Sequence, residues 1–266
     1  MFTTNPFSIL AETVPPIALQ SFVIVMVALV IIGTLVDIIH KKNVKYFFEN
    51  AKKAKLSATK TLSAGEKISV ISKTIVSDIA TTSELGAGKR RVAHLLGMYG
   101  TILFWTGSVI MIFCYSSPSS DTPSYWPIIW HVGAIMTVVG GSWFWFFLRV
   151  DVYSEAHPWY RIIKADLFVL ALIASSLFGL IWSCLQSLNL NDRWDDKVFL
   201  VLYIISNLAL FGGVYWSKFA HMFYKPGASI QKNLAEADGS RDNLPPPADA
   251  PEQYGLGIDR EKAKHY

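Results

Sequence analysis

Arg90-Arg91-Val92-Ala93-His94-Leu95-Leu96-Gly97 marks the point where a basic, polar segment becomes an apolar run. Residues 95–115 then continue without a charge, long enough to cross a hydrocarbon core of about 30 Å. A histidine at the threshold of such a helix is expensive to place in lipid, so position alone makes His94 a candidate functional residue. A second histidine, in Ser217-Lys218-Phe219-Ala220-His221-Met222, stands just beyond the last apolar run.

Working outward from His94, four further runs emerge: residues 17–36, 126–148, 167–185 and 198–216. The chain is 52% hydrophobic and 14% aromatic, with a mean hydropathy of +0.35, and the excess sits in these runs. The fold class is an all-α integral membrane protein with five transmembrane helices. Residues 1–16 carry no Lys or Arg, and no small-residue cleavage site follows the first run, so it reads as a mature membrane helix and not a signal peptide. Trp126, Trp130, Trp143 and Trp145 at the ends of the third run fit interfacial belts. The fifth helix is expected to continue to Tyr224, with Pro226-Gly227 ending it. The organisation predicted is an outer segment (1–16), a first membrane helix (17–40), a basic connection (41–91), a four-helix membrane region (92–225) and a disordered tail rich in Pro, Ala and Asp (226–266).

Within the basic connection, residues 45–62 place Val44, Phe47, Phe48 and Ala51 at helical spacing with a basic opposite face, which predicts an amphipathic surface helix. Ile68, Ile71, Ile75 and Ile79 make a second apolar stripe over residues 66–79. Gly86 and Gly88 break the pattern before the second span. The connection holds 12 Lys/Arg against four Asp/Glu, and all segments on its side of the membrane together hold 22, against two, Arg193 and Lys197, on the other. By the positive-inside rule the N-terminus is outside and the C-terminus cytoplasmic, in an inner (cytoplasmic) membrane.

This topology turns the histidines into depths. His94 opens the second helix and His221 closes the fifth, both at the cytoplasmic edge and level to within roughly two helical turns. Two imidazoles on facing helices can hold a b-type haem between them. Gly97, Gly100 and Gly212-Gly213 leave room for a flat macrocycle, or for ordinary helix contact. Arg90, Arg91, Arg149 and Lys218 are candidate propionate contacts. The alternative is that both histidines merely anchor helix ends. Two cysteines, Cys114 and Cys184, exclude a four-thiolate iron–sulfur cluster and the Cys-x-x-Cys-His attachment motif; they read as apolar filler or an outer disulfide. His131, near the outer end of the third helix, is a candidate quinone contact or a histidine bonded to a neighbouring helix. His40 is a substitute ligand, His157 structural and His265 solvated. Asp37 pairs with a nearby cation or caps its helix. Asn207 bonds a neighbouring helix, or with His131 lines a channel. No phosphate-binding loop, catalytic triad or metalloprotease motif is present, and nothing calls for nucleic acid.

A histidine opening the second of five spans, with an Arg shortly before it, and a last span ending in Lys218-Phe219-Ala220-His221-Met222-Phe223-Tyr224-Lys225-Pro226, resembles the haem b gamma subunit family of respiratory nitrate reductase. The likeness is closer to membrane subunits of quinone-interacting sulfur-metabolism complexes, above all the membrane anchor associated with adenylylsulfate (APS) reductase. It spans roughly residues 17–226, and its specific matches are two stretches, residues 71–95 and 218–226. The resemblance implies a non-catalytic redox subunit exchanging electrons between membrane quinone and a cytoplasmic iron–sulfur reductase such as adenylylsulfate reductase. His94 and His221 would be the axial ligands of one haem b. A second haem in that family lies deeper in the same two helices, where this chain offers Phe104 and Tyr203, so one haem is expected. The rival reading is a haem-free anchor or assembly protein that recruits a soluble complex, or lipid, through the basic connection.

Overall fold

A computed structural model of the chain describes residues 2–85, 88–153, 155, 157–188, 193–217, 219, 221–240, 253–254 and 258–259. Its helices are α1 (Pro6–Leu10), α2 (Pro16–Lys41), α3 (Asn43–Leu56), α4 (Ala64–Thr74), α5 (Lys89–Cys114), α6 (Tyr125–Trp143), α7 (Val150–Tyr153), α8 (Leu167–Ser187), α9 (Trp194–Gly212) and α10 (His221–Asp238). Wider turns extend α4 through Ile75–Ala80 and α6 through Phe144–Leu148. One antiparallel pair of two-residue strands, Gln253–Tyr254 with Ile258–Asp259, is the exception to an all-helical chain. Two compact units result, Met1–Asp37 with Val92–Ala220, and Ile38–Arg91 with His221–Tyr266.

In the first unit four helices are long and apolar enough to cross a membrane: Pro16–Lys41, Lys89–Cys114, Tyr125–Leu148 and Lys164–Ser187. α5 and α6 meet along a seam of small residues. A Cβ on Gly133 would lie 2.5 Å from the Phe104 nitrogen, one on Gly100 2.6 Å from the Thr137 nitrogen, and one on Gly140 2.6 Å from the Gly97 nitrogen. Positions 93, 97, 100, 104 and 107 of α5 alternate steps of four and three, as in other helix pairs whose small residues let backbones touch. α8 and α9 form an antiparallel hairpin joined by Ser175 Oγ donating to Asn207 Oδ1 (3.1 Å) and by the stacked rings of Trp182 and Tyr203 (5.8 Å).

The fifth helix differs from expectation. It begins at Trp194, carries Asp195, Asp196 and Lys197 in its first turn, and ends at Gly212 rather than continuing to Tyr224. Two adjacent glycines weaken the helix there. The chain then turns, with Trp216 N and Ser217 N donating to the Gly213 carbonyl. Phe219 anchors the turn by packing on Trp105, Phe168 and Phe211. His221 therefore opens α10 and does not close α9.

The N-terminal segment is also more than a lead-in to the first apolar helix. Asn5 caps α1 through its Oδ1, while its Nδ2 donates to the Tyr115 carbonyl (2.9 Å) and to Thr122 Oγ1 (3.1 Å). Phe7 is thereby held against Trp130 and Trp182, 5.9 and 5.7 Å away, plugging that end of the bundle.

The second unit packs α3, α4 and α10 together. α3 turns Val44, Phe47, Ala51 and Ala54 inward, as its spacing predicts, but Phe48 points out. α4 starts with a capping box between Ser63 and Glu66, worth about 1 kcal/mol. The expected disordered tail is helical over its first part, since α10 runs through Pro226 to Asp238. Pro226, in the second turn, forfeits the bond to the Met222 carbonyl and crowds that carbonyl, but the run from Ala228 to Ala237 is rich in good helix formers. α10 closes on Gly239 at φ +79°, a left-handed cap that favours glycine. The Asp238 carbonyl accepts from Thr59 N (3.0 Å) and Lys60 N (3.2 Å). Pro245-Pro246-Pro247 lies outside the described residues.

Candidate functional site

His94 is half-buried, one turn into α5. Eleven residues on, three helical turns at 100° per residue, comes Trp105, so the two share a face of the helix. That face meets the turn after α9: the Trp105 ring stacks on Phe219 (6.1 Å between centroids, planes 16° apart) and tilts against Phe211 (5.2 Å). Phe219 lies two residues before His221. Of the four glycines expected to make room, two do so. A Cβ on Gly97 or Gly212 would meet nothing within 4 Å. Gly100 is spent on α6, and Gly213 on the Ala209 carbonyl and Leu167.

One level deeper the helices are filled. Phe104 is fully buried, 5.1 Å from the Trp130 ring and 6.4 Å from that of Tyr203, which stacks in turn on Trp182. Aromatic side chains occupy the depth at which a second macrocycle would stand.

The cationic candidates separate. Arg149 is only 5% exposed. Its Nη1 donates to Asp166 Oδ2 (2.8 Å), its Nη2 to the Arg161 and Trp159 carbonyls (2.8 and 3.3 Å), and its guanidinium lies 3.9 Å over the Trp145 ring. The nitrogens intended for a propionate thus lock the α6–α8 loop, and that role leaves Arg149. Asp166, seventeen positions away, was not signalled by any local pattern. Arg91 donates from Nε to the Thr81 carbonyl (2.7 Å). Lys218 and His265 fall outside the described residues, and of His221 only the backbone is described.

His131 is fully buried and takes the neighbouring-helix alternative. Nδ1 bonds the Pro127 carbonyl (2.7 Å) and Nε2 the Ser183 hydroxyl (2.8 Å), with the Phe2 ring edge-on at 5.3 Å. Both nitrogens being engaged, a quinone headgroup would have to displace Ser183. Asn207 is likewise bonded, to Ser175 and to the Tyr203 carbonyl. Cys114 and Cys184 are free thiols. His157 Nε2 lies 3.5 Å from the Glu155 carboxylate, and Asp37 is buried.

At the other end of the bundle stands a group the sequence reading passed over. Asp196, 5% exposed at the start of α9, has its carboxyl pushed up to about 6 by burial and by the neighbouring Asp195 charge, with Lys197 opposing. A carboxyl raised in the fold favours the folded state when protonated. That stability is full below the unfolded value near 4 and is lost as pH rises through about 6. Asp196→Asn should flatten this dependence between pH 4 and 6 and raise the melting temperature at pH 7.5 by a few degrees, measured by scanning calorimetry in detergent.

The chain matches no protein-family model, no curated protein and no solved structure.

Proposed function

We propose that this multi-pass protein is a membrane electron-transfer subunit of the inner membrane, binding one haem b between His94 and His221 and passing electrons between quinone and a cytoplasmic iron–sulfur reductase, adenylylsulfate reductase being the partner suggested by resemblance. The observation that carries the reading is the α5 face on which His94, the open position at Gly97 and Trp105 lie together, with Phe219 holding the chain two residues short of His221. At the Phe104–Tyr203 level aromatic side chains fill the space, which supports a single haem.

When bound, the haem would supply one-electron transfer. The chain's own residues would hold it: His94 and His221 at its iron, Arg91, Arg90 and Lys218 near its carboxylates, and Gly97 and Gly212 leaving their surfaces clear. In this reading α9 is the fifth crossing, short at roughly 22 Å of apolar helix, with the N-terminus outside and the C-terminus cytoplasmic. The basic second unit then faces an acidic partner.

Protein purified from haem-replete cells should carry one b-type haem per chain, counted as the pyridine haemochrome. A folded but haem-free preparation would favour the rival reading, a membrane anchor or assembly protein. The self-contained packing of α3, α4 and α10 is the observation that speaks for that rival.

A further inference from the structure

On one side of the second unit a polar cluster is buried while aliphatic side chains stay exposed. The inward side of α4 and its extension holds a polar cluster beside the half-buried Val70, Ile71 and Ile79. Asn233 of α10 donates from Nδ2 to Thr74 Oγ1 (2.8 Å) and to Asp78 Oδ2 (2.7 Å), and the Ser77 and Ser83 hydroxyls donate to Asp78 Oδ1 (2.8 and 2.7 Å). Ser229 bonds both Asp78 and Glu84. These donors, Ser83 foremost, hold the Asp78 carboxyl below the usual carboxylate range. The outward face carries Ile68 (65% exposed), Ile75 (46%) and Val76 (64%), while Ile71 and Ile79 of the same stripe are half-buried. In water the hydrophobic effect drives the opposite arrangement, because each exposed aliphatic side chain forfeits roughly 1.5–3 kcal/mol of burial. A helix that ties Thr74, Ser77 and Asp78 into internal hydrogen bonds while leaving Ile68, Ile75 and Val76 exposed suits an apolar surrounding on that side.

We propose that the α4 face bearing Ile68, Ile75 and Val76 lies in the interfacial layer of the bilayer, its partner being the acyl chains and anionic headgroups of the leaflet at which α2 ends and α5 begins. The unit is tied to that leaflet at both ends, since α2 stops at Lys41 and α5 starts at Lys89. Lys42, in the left-handed region at φ 52°, turns the chain directly from α2 into α3. Charge agrees with the choice of lipid over a soluble partner. Lys67 and Lys73 stand about 100° and 140° round the helix from Ile68, on either flank of the stripe. From there their stems run along the apolar surface while the ammonium groups reach lipid phosphates. The acidic residues are turned away from that surface, Glu66 into the capping box and Asp78 into the polar interior. The α6–α8 loop of the first unit exposes the same combination, Trp159, Tyr160, Ile162 and Ile163 beside Arg161 and Lys164. The inference rests on α2 and α5 as membrane helices and is independent of haem.

The test uses the full chain, with Cys114→Ser and Cys184→Ser as background, reconstituted in nanodiscs of phosphatidylcholine and phosphatidylglycerol. Spin labels are placed singly at Ile68→Cys, Ile75→Cys and Lys73→Cys, each protein being required to keep the melting profile of the background. Collisional relaxation by oxygen, which concentrates in lipid, is compared with that by a water-soluble nickel chelate. The expected result is an oxygen-to-nickel ratio several-fold higher at positions 68 and 75 than at 73. Nickel access at 68 and 75 equal to that at 73 would overturn the proposal by placing the stripe in water. Low access to both reagents would overturn it equally, placing the stripe against protein, a second copy of the chain included.

Discussion

Gly133→Leu is expected to separate α5 from α6 and to destabilise the bundle by at least about 3 kcal/mol, beyond the ordinary cost of overpacking. The contact opposite Gly133 is backbone: the Phe104 nitrogen, the Gly100 carbonyl and the Leu103 Cβ all lie within 2.8 Å of where its first side-chain atom would stand. No rotamer relieves such a clash, so the helices themselves must move, and the seam they share extends over Gly100 and Gly140. Gly97→Ala, whose added atom meets nothing within 4 Å, serves as the control. It should leave stability unchanged or raise it by up to about 1 kcal/mol through helix propensity. Unfolding in mixed micelles followed by far-UV ellipticity measures both. Equal stability of the two variants would contradict the close α5–α6 seam.

Arg149→Ala should cost about 3–5 kcal/mol, because it leaves Asp166 buried without its counter-charge. It also removes the hydrogen bonds that fix the Trp159 and Arg161 carbonyls. Arg149→Lys should recover little of this, since an ammonium cannot reproduce the planar fork that serves one carboxylate and two carbonyls while lying over Trp145. Removing both charges with Arg149→Met and Asp166→Leu should be milder than Arg149→Ala alone. If the single and double variants melt alike, the pair is not coupled as described.

These two effects differ in how far they can be read from sequence. The runs that became α2, α5, α6 and α8 are legible because twenty or so apolar residues admit few other structures. The inward face of α3 followed from the spacing of Val44, Phe47 and Ala51. The seam glycines were visible as small residues near His94, but composition cannot say whether a missing side chain faces a helix or open space. Gly97 and Gly100, one turn apart, have opposite fates. The isoleucine stripe of α4 was legible as a period, yet a period names a face without naming its solvent, and here Ile68 and Ile75 stay exposed while Ile71 and Ile79 are half-buried beside a polar cluster. Arg149 with Asp166, and Asn5 with Thr122, are pairings across loops that no local pattern signals. The break after Gly212 was hidden because residues 214–224 also suit a helix. What decided it was the anchorage of Phe219 on Trp105, a tertiary contact.

The central claim is that His94 and His221 hold a single haem. It is tested most directly by the dithionite-reduced minus oxidised visible spectrum of the purified wild type beside His94→Ala and His221→Ala. The account predicts a b-type band in wild type that is lost in both variants while their far-UV ellipticity is kept. Absence of the band in folded, haem-supplied wild type, or its persistence in either variant, would contradict it.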